Sequence, residues 1–479
     1  MKIAMFASEA LPFSKTGGLA DVSYALSKEL AKEGDEVIIV TPFYASIKRK
    51  NAKLDYVGLL PVNVSWRKQD AEVYTTVVDG IRYYLLSNSY YFDRDNIYGY
   101  HDDCERYAFF ALACLNILKF VNFQADIIHV HDWQAGMVPT LLKEKYSYDP
   151  FYASMRTVLT IHNPAFKGLV DRYFLNDFWG LSDELYDNGR VRFDNMVSSL
   201  KAGIVDANKI TTVSPTHRNE LLDIYSDQRL NGILELRKDD FVGIVNGIDY
   251  QEWNPAKDKY IAKGYTEKTW KTGKAECQKD MLKTFGIEKG KGPVFGVVSR
   301  LSWQKGIDLI VDAIYGFLNE YNDCSLVVLG SGESGLEGRL QTLRDQYPNR
   351  VGIYIGYNNE LSHKIYAGCD FFLMPSLFEP CGISQMISQR YGTLPVVRYT
   401  GGLADTVEGL DEPNVTKPDG IGFYNYDVNG LSYAMGKAKD LYSNTPIYDK
   451  IVSNALKKDN SWKRSAKQYR ALYEEIIAK

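Results

Sequence analysis

Short β-branched and aliphatic runs alternate with amphipathic stretches of helical length along almost the whole chain. The runs at 2–7, 36–41, 126–131, 156–161, 209–213 and 241–245 predict strands. The periodic stretches at 21–33, 105–120 and 134–145 predict helices between them. Parallel strands need a crossover long enough to hold a helix, so this order predicts βαβ units around a parallel sheet. The runs at 73–79 and 81–86, split by Gly80, predict a hairpin added to that sheet. The alternation then restarts, with strands expected at 293–299, 325–329, 351–355, 371–374, 395–398 and 422–426. Segment 246–292 is polar, carries Trp253-Asn254-Pro255 and lacks a strand pattern, which marks it as a linker.

Two similar α/β sheets of roughly 200 residues each exceed one core and suit two. A six-letter repeat supports the division: Thr16-Gly17-Gly18-Leu19-Ala20-Asp21 recurs as Thr400-Gly401-Gly402-Leu403-Ala404-Asp405. Both copies follow a predicted strand and open a predicted helix, so equivalent roles on two sides of one ligand cleft are expected.

Composition narrows the function. The 479 residues are 45% hydrophobic and 24% charged, which is ordinary globular usage. Net charge is −4, so bulk charge gives no support for nucleic-acid binding. Thirty-five Tyr, 21 Phe and 7 Trp suit a protein that lays sugars against ring faces. The six cysteines form no CxxC pair, which argues against a zinc or redox motif and fits a reducing compartment. The amino end reaches Glu9 too soon for a signal peptide, and no apolar run approaches the roughly 20 residues of a membrane span. A cytoplasmic protein is expected.

In open parallel sheets, ligands collect at the carboxyl ends of strands, where helix N-termini offer free N–H groups. Ser14-Lys15-Thr16-Gly17-Gly18 follows the first strand, its glycines allowing close backbone approach and Lys15 adding charge. Arg300 and Lys305 stand at the junction after 294–298; two cations beside a helix start oppose the dipole unless an anion joins them, which points to a diphosphate. Glu379, between Phe378 and Pro380-Cys381-Gly382, is pinned by a rigid turn and can accept from sugar hydroxyls; capping a helix near Ser384 is the alternative. His131-Asp132-Trp133-Gln134 and His162-Asn163-Pro164 end two strands of the first half.

Two motifs point elsewhere and fail on context. Gly330-Ser331-Gly332-Glu333-Ser334-Gly335 is a literal GxGxxG, but the next strand ends in Gly356-Tyr357 without the acidic residue that a nicotinamide site needs. Asp93-Arg94-Asp95 spells DxD without supporting carboxylates, so no metal is expected. Neither GxSxG nor GxxxxGK[ST] occurs.

Together, Lys15 through Val22, His131 through Gly136, Ser299-Arg300-Leu301 with Lys305-Gly306, Phe378 through Gly382, and Thr400 through Val407 resemble the bacterial glycogen synthase and plant starch synthase family, in order and over nearly the whole chain. The resemblance implies an α/β GT-B fold, two Rossmann-like domains with parallel sheets facing across a deep cleft. It places an acceptor-side domain at 1–245, a nucleotide-sugar domain at 246–460, and a final helix at 461–479 crossing back to the first domain. It implies transfer of glucose from ADP-glucose to the non-reducing end of glycogen or a malto-oligosaccharide, with retention and without a metal or other cofactor.

By the same resemblance, Arg300 and Lys305 hold the diphosphate and stabilise the departing ADP. Lys15, Thr16 and Gly18 line the donor side. His162 sits by the glucose 6-hydroxyl with its backbone carbonyl near the anomeric carbon, and Glu379 orients the glucosyl ring. Asp21, Asp132, Trp133 and Asn246 contact the sugar or acceptor region, Tyr357 stacks on adenine, and Cys381 and Gly382 complete the substrate-binding set. Same-face attack, with the departing phosphate taking the acceptor's proton, is the implied route to retention.

Gln134 departs from the family's usual histidine, and Ile387 stands where wider retaining GT-B enzymes carry a second carboxylate. The competing readings are a retaining GT-B enzyme using UDP-glucose and a non-catalytic glucan-binding relative.

Overall fold

The computed structural model describes residues 1–49, 53–413 and 415–478, and these divide into two compact units: Met1–Ile244 with Ser465–Lys479, and Val245–Arg464. In the first unit, nine strands form one sheet in the order β12-β11-β7-β6-β1-β2-β5-β4-β3. They are β1 (Lys2–Phe6), β2 (Glu36–Pro42), β3 (Asp55–Val64), β4 (Arg67–Val78), β5 (Ile81–Ser87), β6 (Ile127–His131), β7 (Arg156–Ile161), β11 (Lys209–Thr212) and β12 (Phe241–Gly243). Pairing is parallel except where β4 meets β3 and β5. Ile3 through Phe6 are wholly buried, as expected of a strand covered on both faces. Helix Gly18–Lys32 turns Leu19, Val22, Leu26 and Leu30 inward at intervals of three and four residues.

Three features depart from expectation. The stretch 134–145 is not one helix but Asp132–Gly136, Val138–Leu141 and a π turn at Leu142–Tyr146, because Pro139 has no N–H for the preceding turn. The hairpin is a three-stranded meander: β3, masked in sequence by Gly58 and Pro61, pairs with β4 at the sheet edge, where a missing N–H is tolerated. A small sheet of β8 (Leu169–Val170), β9 (Arg192–Phe193) and β10 (Met196–Ser198) was also invisible to periodicity at two or three residues per strand.

The second unit holds a six-stranded parallel sheet in the order β15-β14-β13-β16-β17-β18. Its strands are β13 (Val294–Val298), β14 (Ser325–Gly330), β15 (Val351–Ile355), β16 (Phe371–Met374), β17 (Leu394–Arg398) and β18 (Ile421–Phe423). Segment 246–292 is no loose linker. It contains helix Trp270–Phe285, which buries Cys277, Met281 and Leu282. Lys274 is buried too, its Nζ donating to Thr393 Oγ1 at 2.6 Å and to two carbonyls. The polar letters that suggested a linker are satisfied inside the unit. The last helix, Trp462–Ile477, places Tyr469 and Tyr473 in the core of the first unit.

Candidate active site

In the second unit, β13 ends at Val298 and the chain enters Ser299–Ser302 before the short turn Trp303–Lys305 and helix Ile307–Glu320. Leu301 is buried and bridges Gly332, holding the loop against the end of β14. This explains the GxGxxG: a Cβ at Gly332 would lie 2.8 and 2.9 Å from Leu301 backbone atoms, so its glycine serves packing. Arg300 remains exposed, its guanidinium reaching Gln304 Oε1 at 3.5 Å. Lys305 is ion-paired through Nζ with Glu379 Oε2. The anion that the helix start demanded is therefore supplied, in the free chain, by Glu379. A cavity of about 260 Å³ opens here, lined among others by Ser299, Arg300, Lys305, Ser376 and Ser384.

Glu379 is buried and does not cap helix Ser384–Arg390, which starts after Ile383 without a side-chain cap. Its segment is held from behind by the second TGGLAD copy: Gly402 N donates to the Glu379 carbonyl at 3.0 Å. Cys381 is buried, and burial pushes its thiol up to about 12. Gly382 is left-handed at φ +71 against Gln385. Asn246 is buried with its Oδ1 unpartnered, and Tyr357, just past β15, is 88% exposed.

The two repeat copies are not equivalent, contrary to expectation. Cβ atoms at Gly17 or Gly18 would meet nothing within 4 Å, whereas one at Gly402 would press on the Cys381 carbonyl oxygen and lie 2.5 Å from its carbonyl carbon and Cα. One copy is open and the other is a packed joint. Local spelling could not distinguish them, because the difference lies in what each loop touches.

The first copy has an organiser that the sequence reading missed. Glu9, buried beyond β1, accepts from Thr16 N, from Thr16 Oγ1 at 2.8 Å, from Gly17 N at 3.3 Å and from the Tyr98 hydroxyl at 2.7 Å. Its only sequence signal was an acidic residue in an otherwise apolar amino end. Lys15 pairs with Asp21 at 2.7 Å; burial raises the Asp21 carboxyl despite that lysine.

At the end of β6, Asp132 adopts a left-handed φ of +53, and its Oδ1 accepts from the backbone N–H groups of His162 (2.7 Å) and Asn163 (3.2 Å). Burial pushes the Asp132 carboxyl up to about 7. Asp132 thus holds the His162 loop. Trp133 packs edge-on to Tyr107 at 5.3 Å. His162 Nε2 lies 3.0 Å from His131 Nδ1, and burial drives the His162 imidazole down to about 3, so the ring is neutral at physiological pH. The DxD-like Asp93 and Asp95 are paired with Lys48 and Arg49. Among the described residues, no helix is long and apolar enough to cross a membrane.

Comparison with known proteins agrees with the fold. Residues 2–236 match the family model described as starch synthase catalytic domain, and residues 280–455 match glycosyl transferases group 1. A glycogen synthase of Geobacillus thermodenitrificans is 42% identical, the alignment covering 100% of this chain and 98% of the relative. One from Bacillus cereus is 40% identical over the full length of both. The solved catalytic domain of starch synthase IV from Arabidopsis thaliana, bound to ADP and acarbose, superposes with a TM-score of 0.90 at 30% identity, covering 100% of this chain and 99% of that one. A sucrose-phosphate synthase from Thermosynechococcus elongatus shares the fold, with a TM-score of 0.61 at 16% identity and 99% of its chain covered.

Proposed function

We propose that this chain, which belongs to the glycogen synthase family of glycosyltransferases, moves glucose from ADP-glucose to the non-reducing end of an α-1,4-glucan, with retention and without a metal. The observation that carries this reading is the pair of cations, Arg300 and Lys305, lining one cavity at a helix start. Fixed cations there neutralise a diphosphate as it leaves, the task a divalent ion performs in other transferases. ADP as the nucleotide is supported by the starch synthase solved with it.

The chemistry follows from where charge develops. The bond from the anomeric carbon to the donor phosphate breaks, and the phosphate keeps the electron pair beside Arg300 and Lys305. The acceptor hydroxyl attacks the same face, and its proton passes to the departing phosphate oxygen. Glu379 gives up Lys305 to the phosphate and orients the glucosyl ring. Lys15, Thr16 and Gly18 admit the donor because nothing packs over the glycines. His162, neutral, offers a hydrogen bond to the 6-hydroxyl and moves no proton. Asp21, Trp133 and Asn246 contact sugar, and Tyr357 stacks on the base.

The test is donor choice: ADP-glucose against UDP-glucose, on glycogen and on small sugars, with and without a chelator. Glucosyl transfer from ADP-glucose to glycogen, undiminished by chelation, is expected. A preference for UDP-glucose with a monosaccharide acceptor, or activity restored only by a divalent ion, overturns the assignment.

A further inference from the structure

His131 takes no part in the reaction as described, yet its ring is wholly buried and its Nδ1 occupies one of the two nitrogens of His162. The ring is fixed from behind. His129 stacks on it with centroids 4.3 Å apart, and His129 is itself bonded to the Tyr473 hydroxyl (2.7 Å) and to Thr160 Oγ1 (2.6 Å). The other nitrogen of His131, Nε2, is buried without a partner. A buried polar atom left unsatisfied is costly, and apolar side chains of similar size fill a core more cheaply. The loop gains something specific in return: Asp132 clamps the His162 backbone, and His131 clamps its ring.

We propose that His131 is a positioning residue, holding the His162 imidazole so that Nδ1 is the nitrogen offered to the hydroxymethyl group of the transferred sugar. The assignment of His162 to that sugar rests on the function proposed above. The His131 assignment rests on the Nδ1–Nε2 bond, which shares one proton between two neutral rings. Without it the His162 ring rotates about its side-chain bonds and presents either nitrogen.

The substitutions follow from side-chain geometry. In His131→Asn the amide keeps a polar atom at the place of Nδ1, whereas His131→Gln moves it toward Nε2 and His131→Leu removes it. Loss of one neutral hydrogen bond of this kind is expected to lower kcat/KM for ADP-glucose about tenfold in His131→Leu and His131→Gln, and by much less in His131→Asn. In His131→Leu/His162→Ala the loss should match that of His162→Ala alone, since nothing remains to be positioned. A purely structural role would instead add the two losses, and additive losses overturn the proposal. So does an Asn variant no better than Gln when both melt with the wild type. If His131→Leu does not fold, the Asn–Gln pair carries the test. If His162→Ala leaves transfer intact, the function assigned to His162 fails, and positioning is then judged by ¹⁵N chemical shifts. Altered His162 ring resonances in His131→Gln support it, and unchanged ones overturn it.

Discussion

Replacing one glycine in each TGGLAD copy separates a loop built to be approached from a loop built to be packed. At Gly18 a Cβ has nothing within 4 Å, but at Gly402 it would stand 2.5 Å from the carbonyl carbon and Cα of Cys381. Ordinary contact begins at 3.4 Å and the Cys381 carbonyl oxygen is nearer still, so Gly402→Ala must open that joint by more than the 0.9 Å these two carbons require. Overpacking of this kind costs about 1–3 kcal/mol. Because the joint carries Glu379, a shift near 1 Å should also cost on the order of 100-fold in turnover. Gly18 opens helix Gly18–Lys32, where alanine in place of glycine gains roughly 0.5–1 kcal/mol. Urea unfolding followed by circular dichroism, beside initial rates of glucosyl transfer, reads both effects. Gly402→Ala is expected to lose stability and activity together. Gly18→Ala should raise its midpoint slightly, and Gly18→Leu should lose donor turnover while still folding. Equal losses of stability at positions 18 and 402 would refute the distinction, as would a Gly402→Ala protein indistinguishable from wild type.

Three further tests probe the polar groups. Lys305→Ala is expected to lower kcat by about 10²–10³ while leaving glucan affinity nearly intact, checked by single-turnover rates beside glycogen binding; equal losses contradict a leaving-group role. Asp132, held near pKa 7 against an ordinary 3.8, keeps a proton in the native state that the unfolded chain has already released between about pH 4 and 7. Rising pH across that window therefore removes stability, by at most about 4 kcal/mol. Asp132→Asn should gain stability relative to wild type from pH 4 to 7 and run parallel above it, whereas parallel melting curves throughout would refute the buried carboxyl. Glu9→Gln must turn its amide N–H groups either toward the Thr16 and Gly17 N–H donors or toward the Thr16 and Tyr98 hydroxyls that now donate to the carboxylate, so one side of the four-donor arrangement is lost. It should reduce kcat/KM for the donor about tenfold with the fold retained, and unchanged donor kinetics would remove Glu9 from the loop's organisation.

What the sequence made legible was whatever repeats at short range. The parallel strands of both sheets follow from β-branched runs spaced by amphipathic helices, because burial on both faces leaves a strand no alternative composition. The edge strand Asp55–Val64 escaped because its glycine and proline are tolerated only at an edge, and edges are set by neighbours. The loops were found because they follow strands and carry charge, but their couplings were not. Lys305 and Glu379 are 74 positions apart, and His131 and His162 are 31 apart; no spacing rule reports such pairs. The same blindness made two identical hexapeptides look equivalent when one is open and the other is pressed against a backbone.

The buried atoms without partners reinforce the distinction between loop and core. They include His131 Nε2, Gln134 Oε1, Asn246 Oδ1, Ser302 Oγ and Gln385 Oε1, each within a few residues of a group assigned to the substrate. Leaving such an atom dry costs about 1–3 kcal/mol, comparable to a sizeable fraction of a domain's net stability. A core selected for stability alone replaces these groups with apolar ones. At these positions the chain forgoes stability where its loops hold polar side chains in one orientation. Asp132 makes the exchange explicit, since burying its carboxylate is unfavourable at neutral pH and the return is two backbone N–H groups that fix His162 in place. At Asp132 the cost is chiefly electrostatic, and it is borne by a residue that holds the His162 loop from behind.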